Sequence, residues 1–295
     1  MINPVDNLVK KFVAVNGVQL CYFETGEQFR VNGTILLIHA TGFHARCWDR
    51  TIQLLSGRHV VAIDMRGHGR SDKVGPFTWD VFGVDVAEFV SILDLDNVVA
   101  AGHSFGGHSV CQAVATVEDR FQRALLIDPV VLAPENYARP VTHRHVRLND
   151  EDEHPVARRR NHFDSVQAMY ENYHGKGSFA SWRDDVLWDY CRFGCLVDDE
   201  GVTLACPPKV EAAIYQGSSG CDIYTLIGDI KIPVTILRAE LRDRTPGVMD
   251  FSGSPTWPLL ASRFEQGTDV YLPHLTHFIP MQEPEVIAQY LLAAD

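Results

Sequence analysis

The chain has 295 residues, of which 46% are hydrophobic and 22% are charged, and its net charge at pH 7 is −12. This composition is typical of a globular protein that buries a sizeable core. The acidic balance argues against nucleic acid or an anionic membrane surface as a partner, because both attract clustered Lys and Arg. No apolar run approaches the roughly 18 residues that a membrane-spanning helix needs.

The N-terminus and the cysteines indicate the compartment. The first residues, MINPVDNLVKKFVAVNG, lack the apolar segment of a secretory signal. The chain has seven cysteines, an odd number, and no CxxC pair, which favours reduced thiols in a cytoplasmic protein. Cys191 and Cys195 stand one helical turn apart. We interpret them as two packed thiols rather than a bridge or a metal site.

The first predicted element is a hairpin, followed by alternating strands and helices. Two apolar runs meet at Asn16-Gly17, a pair that tolerates the positive φ angles of a tight turn. Short continuous apolar runs then predict buried strands, and apolar residues at helical spacing predict helices. The predicted strands are 33–40, 59–65, 97–103 and 123–129, and the predicted helices are 77–95 and 106–118. This alternation predicts a mostly parallel sheet with helices on both faces.

The alternation stops after Pro129. The following block is rich in aromatic residues and helical segments, without a clear buried strand, and its best predicted helices are 156–173, 181–194 and 206–216. Strands resume at 232–239 and 268–274, and a helix at 283–294 closes the chain. We therefore predict an α/β core made of residues 1–133 and 230–295, with a helical cap, residues 134–229, inserted between two strands.

The cap also contains the one basic run of the chain. Arg158-Arg159-Arg160 is preceded by acidic residues 150–153, and we interpret it as a solvated helix face. The histidines at positions 143, 145, 154 and 162 lack the paired spacing of metal ligands on one helix face. No phosphate-binding or dinucleotide-binding glycine motif occurs. We therefore expect neither a metal nor a cofactor.

The stretch AAGHSFGGHS places Ser104 between glycines, after a predicted strand and before a predicted helix. In that context Gly-x-Ser-x-Gly predicts a sharp turn that exposes a nucleophilic hydroxyl. The helix that follows directs its N-terminal N–H groups toward the same point. Because serine is a poor nucleophile alone, it needs a base. His277 follows the last predicted strand, at the same edge of the sheet, and is the predicted base.

The base in turn needs a carboxylate to fix its tautomer. Asp243 follows the predicted strand 232–239 and is our first choice. Asp128, which ends the predicted strand 123–129, lies at the same edge and is the rival. Glu240 is a more distant third. The predicted donors to the oxyanion are the N–H groups of Phe105, directly after the nucleophile, and of Thr41, in the loop after strand 33–40.

These motifs together resemble the α/β-hydrolase superfamily. Ser, Asp and His occur in that order, the elbow reads GHSFGG, DMRGHGRSD (64–72) is similar to the loop after the fourth strand, and HFIPMQEPE is similar to the segment of the catalytic histidine. The resemblance covers about residues 10–130 and 230–295. Two positions depart from it: Ala40 stands where the family usually has Gly after the histidine, and Ala239 stands where Gly commonly precedes the acid.

The resemblance implies a capped serine esterase that cleaves small to medium, partly apolar carboxylic esters or lactones through an acyl-enzyme. We expect the cap aromatics Tyr170, Tyr173, Trp182, Trp188, Tyr190 and Phe193 either to line the substrate pocket or to form the cap's own core. A lactonase or a carbon–carbon bond hydrolase would use the same triad. A hydrolase-like receptor that binds a small ligand and hardly turns it over is the alternative from another class.

Overall fold

The computed structural model of the protein describes residues 3–137, 154–218, 221–241 and 250–293. Its centre is an eight-stranded sheet in the order β1-β2-β4-β3-β5-β6-β10-β11. The strands are β1 Val9–Val15, β2 Val18–Thr25, β3 Thr34–Ile38, β4 His59–Asp64, β5 Val98–His103, β6 Phe121–Ile127, β10 Val234–Ala239 and β11 Gly267–Leu272. Strands β1, β2 and β4 pair antiparallel, and all other pairs in this sheet are parallel.

The helices cover both faces of this sheet, as the alternating pattern predicts. In chain order, the α-helices of the described residues, including those of the cap, are α1 Asp49–Ile52, α2 Trp79–Ile92, α3 Phe105–Thr116, α4 Pro134–Tyr137, α5 Val166–Tyr173, α6 Asp184–Phe193, α7 Pro208–Gln216, α8 Tyr224–Ile227, α9 Ile279–Gln282 and α10 Pro284–Leu292. One apolar core packs α2 and α3 against the sheet, and a second packs α1 and α10 against its other face. The predicted fold class is confirmed.

The N-terminal hairpin is also confirmed. Asn16 and Gly17 have φ angles of 45° and 77°, so both residues of the turn are left-handed. This turn places β2 beside β4, where the sheet changes from antiparallel to parallel pairing. Within the described ranges, no helix is long and apolar enough to cross a membrane.

The cap differs from its predicted form, because it contains a small sheet as well as helices. Strands β7 His162–Phe163, β8 Cys195–Asp198 and β9 Gly201–Leu204 form an antiparallel sheet in the order β7-β9-β8. The predicted helix 156–173 therefore starts late, at Val166. The hydroxyl of Ser165 caps it by accepting from the Ala168 N–H at 3.1 Å.

The described residues of the cap contribute no strand to the eight-stranded sheet, which continues directly from β6 to β10. The division into core and cap domains stays a prediction. Cys191 and Cys195 are separate buried thiols, as interpreted from the sequence, and burial raises the pKa of the Cys191 thiol to about 12.

Candidate active site

Ser104 lies in a strained turn between β5 and α3. Its φ and ψ angles are 57° and −120°, a region that non-glycine residues rarely adopt. The turn also requires a glycine behind it, because a Cβ on Gly106 would come within 2.5 Å of the His39 carbonyl oxygen and 2.6 Å of the Ile38 carbonyl oxygen. The end of β3 and the start of α3 are thus in direct contact beside Ser104.

His277 links Ser104 to Asp128 in a chain of hydrogen bonds. Its Nε2 atom lies 2.9 Å from Ser104 Oγ, and its Nδ1 atom lies 2.6 Å from Asp128 Oδ2. Because a carboxylate oxygen only accepts, Nδ1 carries the proton and Nε2 is left to accept from the serine hydroxyl. This is the tautomer that a general base facing Ser104 needs.

The loop that holds His277 is fixed by its backbone. The His277 N–H donates to the Ser252 carbonyl oxygen at 2.8 Å, and the His277 carbonyl oxygen accepts from His103 Nε2 at 2.8 Å. Burial, together with the neighbouring His277, holds the pKa of His103 well below its usual range. His103 therefore acts as a neutral donor that holds this loop.

Asp128 lies directly after β6, is fully buried and has a φ angle of 44°. Its Oδ1 atom accepts from the Ala239 N–H at 2.9 Å, from Ser254 Oγ at 2.6 Å and from Thr256 Oγ1 at 3.3 Å. Its Oδ2 atom is left for His277. A buried carboxylate requires such donors, and here they come from the end of β10 and the segment after it.

The predicted pairing of His277 with Asp243 requires correction. Asp243 lies outside the described residues, and the Nδ1 atom that it would need is bonded to Asp128. The rival assignment from the sequence is therefore the one that the geometry supports. Physically, the hydroxyls of Ser254 and Thr256 in the stretch SGSPT surround Asp128 with donors. Both ring nitrogens of His277 are bonded to Ser104 and Asp128 rather than to Glu240, the third candidate, whose carbonyl oxygen accepts from the Ser254 N–H at 2.9 Å.

The two predicted oxyanion donors lie on the loop after β3, for Thr41, and at the first residue of α3, for Phe105. The loop after β3 commits the N–H of Gly42 to His68 Nε2 at 2.9 Å and the N–H of Phe43 to the Ala40 carbonyl oxygen at 3.1 Å. The N–H of Thr41 has no hydrogen-bond partner in the described part of the chain. The same holds for the N–H of Phe105, the first residue of α3, as expected at a helix N-terminus.

Buried neutral histidines hold the loop after β3 in place. His39 Nδ1 donates to the Ala40 carbonyl oxygen at 2.7 Å, and its Nε2 atom accepts from the Met65 N–H at 3.0 Å. Burial lowers the pKa of His39 to about 4 and holds the pKa of His68 well below its usual range. Both rings therefore stay neutral at pH 7.

The predicted aromatic residues of the cap fall into two groups. Trp182 is buried, and its ring centroid lies 5.3 Å from that of Phe43, 5.4 Å from that of Phe278 and 5.5 Å from that of Tyr190. Phe43 lies two residues after Thr41, and Phe278 directly follows His277. Trp182 and Tyr190 thus lie where the cap meets the candidate site.

The remaining predicted aromatics lie farther from the site. Trp188 is half-buried and packs against Tyr170 within the cap, with ring centroids 5.6 Å apart. Phe193 lies against the guanidinium of Arg46, at 3.9 Å. Tyr173 packs against Phe163 and Phe179. Among the described residues, no ring contact joins Trp188, Phe193 or Tyr173 to Phe43 or Phe278.

The interpretation of the basic run as a solvated helix face was wrong for Arg159. Its Nη1 atom donates to Glu211 Oε2 at 2.7 Å, and its Nη2 atom lies 3.0 Å from the hydroxyls of Tyr173 and Tyr190. Sequence patterns could not indicate this pairing, because Glu211 is 52 residues away. Among the residues that the structure describes, no group of three or more His, Cys, Asp or Glu could hold a metal ion.

A family model and a relative of known name match the chain over most of its length. A family model described as the alpha/beta hydrolase family matches residues 35–290, so the chain belongs to that family. The bifunctional esterase/perhydrolase DCH of Acinetobacter calcoaceticus is 27% identical over 290 residues, which are 94% of this chain and 96% of that protein. The family and its esterase and lipase relatives support a hydrolase.

Other relatives match only a part. The lipase LipV of Mycobacterium tuberculosis is 34% identical over 110 residues, which cover 36% of this chain and 41% of LipV. The chain therefore spans less than half the length of this relative. Among solved structures, E-2-(acetamidomethylene)succinate hydrolase superposes with a TM-score of 0.74 at 19% identity, covering 97% of this chain and 98% of that one. That likeness concerns the fold.

Proposed function

We propose that the protein is a serine hydrolase that cleaves carboxylic esters of small to medium, partly apolar acids. The observation that carries the proposal is the continuous chain from Ser104 Oγ through His277 to Asp128, with distances of 2.9 and 2.6 Å. This chain begins at a strained serine and is flanked by the partnerless N–H groups of Thr41 and Phe105. Nucleophile, base, acid and oxyanion donors are the parts that acyl transfer requires.

In the first half-reaction, Ser104 Oγ attacks the ester carbonyl carbon while His277 Nε2 takes the hydroxyl proton. The carbonyl electron pair moves onto its oxygen, where the N–H groups of Thr41 and Phe105 stabilise the charge. Asp128 holds the imidazolium that forms. Collapse of the tetrahedral intermediate breaks the bond to the alcohol, which takes the proton from His277. The acyl group is then esterified to Ser104.

In the second half-reaction, water attacks the acyl carbon and His277 accepts its proton. Collapse breaks the bond to Ser104 Oγ, which takes the proton back from His277, and the carboxylic acid leaves. The site is nearly closed, since Ser104 and His277 are 7% and 6% exposed. This enclosure is consistent with small to medium substrates, and we infer that Trp182 and Tyr190 are among the residues that limit their size.

A perhydrolase is the second candidate, because the relative that matches 94% of the chain is named an esterase/perhydrolase. In that reaction hydrogen peroxide, rather than water, attacks the acyl-Ser104 carbonyl and gives the peracid. The deacylation step alone distinguishes the two activities. Adding peroxide to the esterase assay and measuring peracid against free acid separates them.

The direct test is a rapid-mixing assay with p-nitrophenyl esters of two to eight acyl carbons. We expect a burst of nitrophenol about equal to the enzyme concentration or smaller, followed by steady turnover. One stoichiometric burst followed by arrest would instead indicate the receptor alternative, in which the acyl-enzyme is not hydrolysed. Absence of any nitrophenol release across the panel would contradict the proposal.

A further inference from the structure

A buried ion pair of the cap lies against the loop that carries Thr41. Glu211 on α7 is 4% exposed, and its Oε2 atom accepts from Arg159 Nη1 at 2.7 Å. The guanidinium is fixed on its other side, because Nη2 lies 3.0 Å from the hydroxyls of Tyr173 and Tyr190. We call Arg159 and Glu211 the cap ion pair.

The carboxylate of the pair packs directly on the residue after Thr41. A Cβ on Gly42 would come within 2.5 Å of Glu211 Oε1 and 2.8 Å of Glu211 Cδ. Gly42 also has a φ angle of 79°, so only glycine fits there without strain. Glu211 thus contacts Gly42, the neighbour of Thr41. The proposed mechanism assigns the Thr41 N–H to the oxyanion.

A carboxylate at this place has an electrostatic consequence for the reaction. Negative charge grows on the carbonyl oxygen in the transition state, and a second negative charge nearby in a water-poor site opposes it. Arg159 cancels that charge at its source. Burial raises the pKa of Glu211, and the guanidinium of Arg159 opposes that effect.

We propose that Arg159 is a positioning residue that neutralises Glu211, so that Glu211 can hold the Gly42 turn without opposing the oxyanion at Thr41. The inference rests on the proposed hydrolase function. The proposal predicts that substitutions of the two members of the cap ion pair have unequal effects on kcat. Where the unpaired Glu211 is ionised, removing Arg159 leaves a negative charge beside the oxyanion, whereas neutralising Glu211 leaves only the positive charge of Arg159.

The test compares Arg159→Met, Glu211→Gln and the double variant, with Arg159→Lys as the matched control that retains the positive charge. The readout is kcat for a p-nitrophenyl ester from pH 6 to 9. We expect Arg159→Met to lower kcat about 10–100-fold at pH 8, as a like charge within about 8 Å would. Glu211→Gln should not lower kcat more than about threefold, and Arg159→Lys should retain most of it.

The double variant distinguishes charge from packing. If Arg159 acts through the charge of Glu211, the double variant should have a kcat at least tenfold higher than that of Arg159→Met alone. The deficit of Arg159→Met should also shrink toward pH 6, because protonation of the unpaired Glu211 removes the charge. Equal losses for Glu211→Gln and Arg159→Met, or no recovery in the double variant, would show a packing role and overturn the proposal.

The remaining outcomes are also decisive. If Arg159→Met does not fold, Glu211→Gln and Arg159→Lys carry the test, since a loss above tenfold in either contradicts a role through charge. If the wild-type protein turns over no ester, the proposed function fails, and the inference fails with it because no oxyanion forms. Turnover by the wild type without the predicted asymmetry rejects the inference alone.

Discussion

Two hydroxyl–histidine–carboxylate chains lie at opposite ends of the same sheet. At the carboxyl ends of the parallel strands, Ser104 and Asp128 contact the two ring nitrogens of His277. At the other end, Thr34 Oγ1 lies 2.8 Å from His59 Nδ1, and His59 Nε2 lies 2.9 Å from Glu24 Oε1. We call the second set, with Lys11 paired to Glu24, the rear network.

The backbone makes the difference between them. Thr34 and His59 are opposite residues in the regular ladder of β3 and β4, and the Thr34 N–H is bonded to the Asn97 carbonyl oxygen. Ser104, by contrast, is held at a φ angle of 57° next to N–H groups without partners. We therefore expect a hydroxyl, an imidazole and a carboxylate in line to be insufficient for acyl transfer. The strained turn and the oxyanion donors are also needed.

The largest expected effect on kcat distinguishes the hydroxyl of Ser104 from that of Thr34. Ser104→Ala should lower kcat for p-nitrophenyl butyrate about 10⁴-fold or more, and His277→Ala should cost a comparable factor because the two act as a unit. Thr34→Val is the matched control, since it removes the hydroxyl of the rear network, and should keep kcat within about threefold. A large loss in Thr34→Val with a normal melting temperature would break the comparison.

The second effect concerns the acid. Asp128→Asn keeps the shape of the side chain but favours the wrong tautomer of His277, so kcat should fall about 10⁴-fold. Asp243→Asn should keep kcat within about threefold of the wild type, because the Nδ1 atom of His277 is bonded to Asp128 instead. Both variants are compared by steady-state kinetics after their circular dichroism spectra are matched. A larger loss in Asp243→Asn would restore the assignment made from the sequence.

The rear network should affect stability rather than turnover. Hydrogen bonding to His59 is the main reason that the pKa of Glu24 falls from 4.5 to about 2. Ionised Glu24 therefore stabilises the fold above pH 4.5, and this contribution is lost as the pH falls toward 2. Glu24→Gln should lower the free energy of unfolding by about 2 kcal/mol at pH 7 while leaving kcat unchanged.

The pH dependence provides the control for that prediction. Urea unfolding of wild type and Glu24→Gln at pH 7, 5, 4 and 3 should show a difference that is constant down to about pH 5 and then shrinks. A difference that stays constant to pH 3 would mean that the charge of Glu24 contributes nothing, and that the substitution acts only through packing.

The smallest predicted effect concerns the cap. Trp182 contacts Phe43 and Phe278 beside the site, whereas Trp188 packs against Tyr170. Trp182→Ala should shift the preferred acyl chain toward longer esters, changing the ratio of kcat/KM for octanoate and butyrate esters by about tenfold. Trp188→Ala should lower the melting temperature without changing that ratio. The same ratio in both variants would place Trp182 in the cap core.

The sequence was sufficient for the elements that local patterns determine. The Asn16-Gly17 turn, the buried strands and the elbow around Ser104 follow from turn chemistry and apolar runs, and His277 follows from its place after the last strand. The partners of buried charges were not predictable. Both Asp128 and Asp243 follow a strand at the same edge, and only the fold brings the hydroxyls of Ser254 and Thr256 to Asp128.

The cap shows the same limit. Arg159 looked like part of a solvated run because its neighbours are charged, but its partner Glu211 lies on the distant helix α7. The short strands β7, β8 and β9 have two to four residues each, too few for a period-2 pattern to emerge. One signal was available for the acid: Ala239 replaces the glycine that commonly precedes the carboxylate in the family, and hydroxyl-rich SGSPT follows.

Covalent labelling tests most directly that Ser104 alone is activated. The protein is treated with a fluorophosphonate, digested, and the modified residue is located by mass spectrometry. We predict a single adduct on Ser104, lost in Ser104→Ala and formed much more slowly in Asp128→Asn, with Thr34→Val labelled at the wild-type rate. An adduct on another residue, or labelling that persists in Ser104→Ala, would contradict the account.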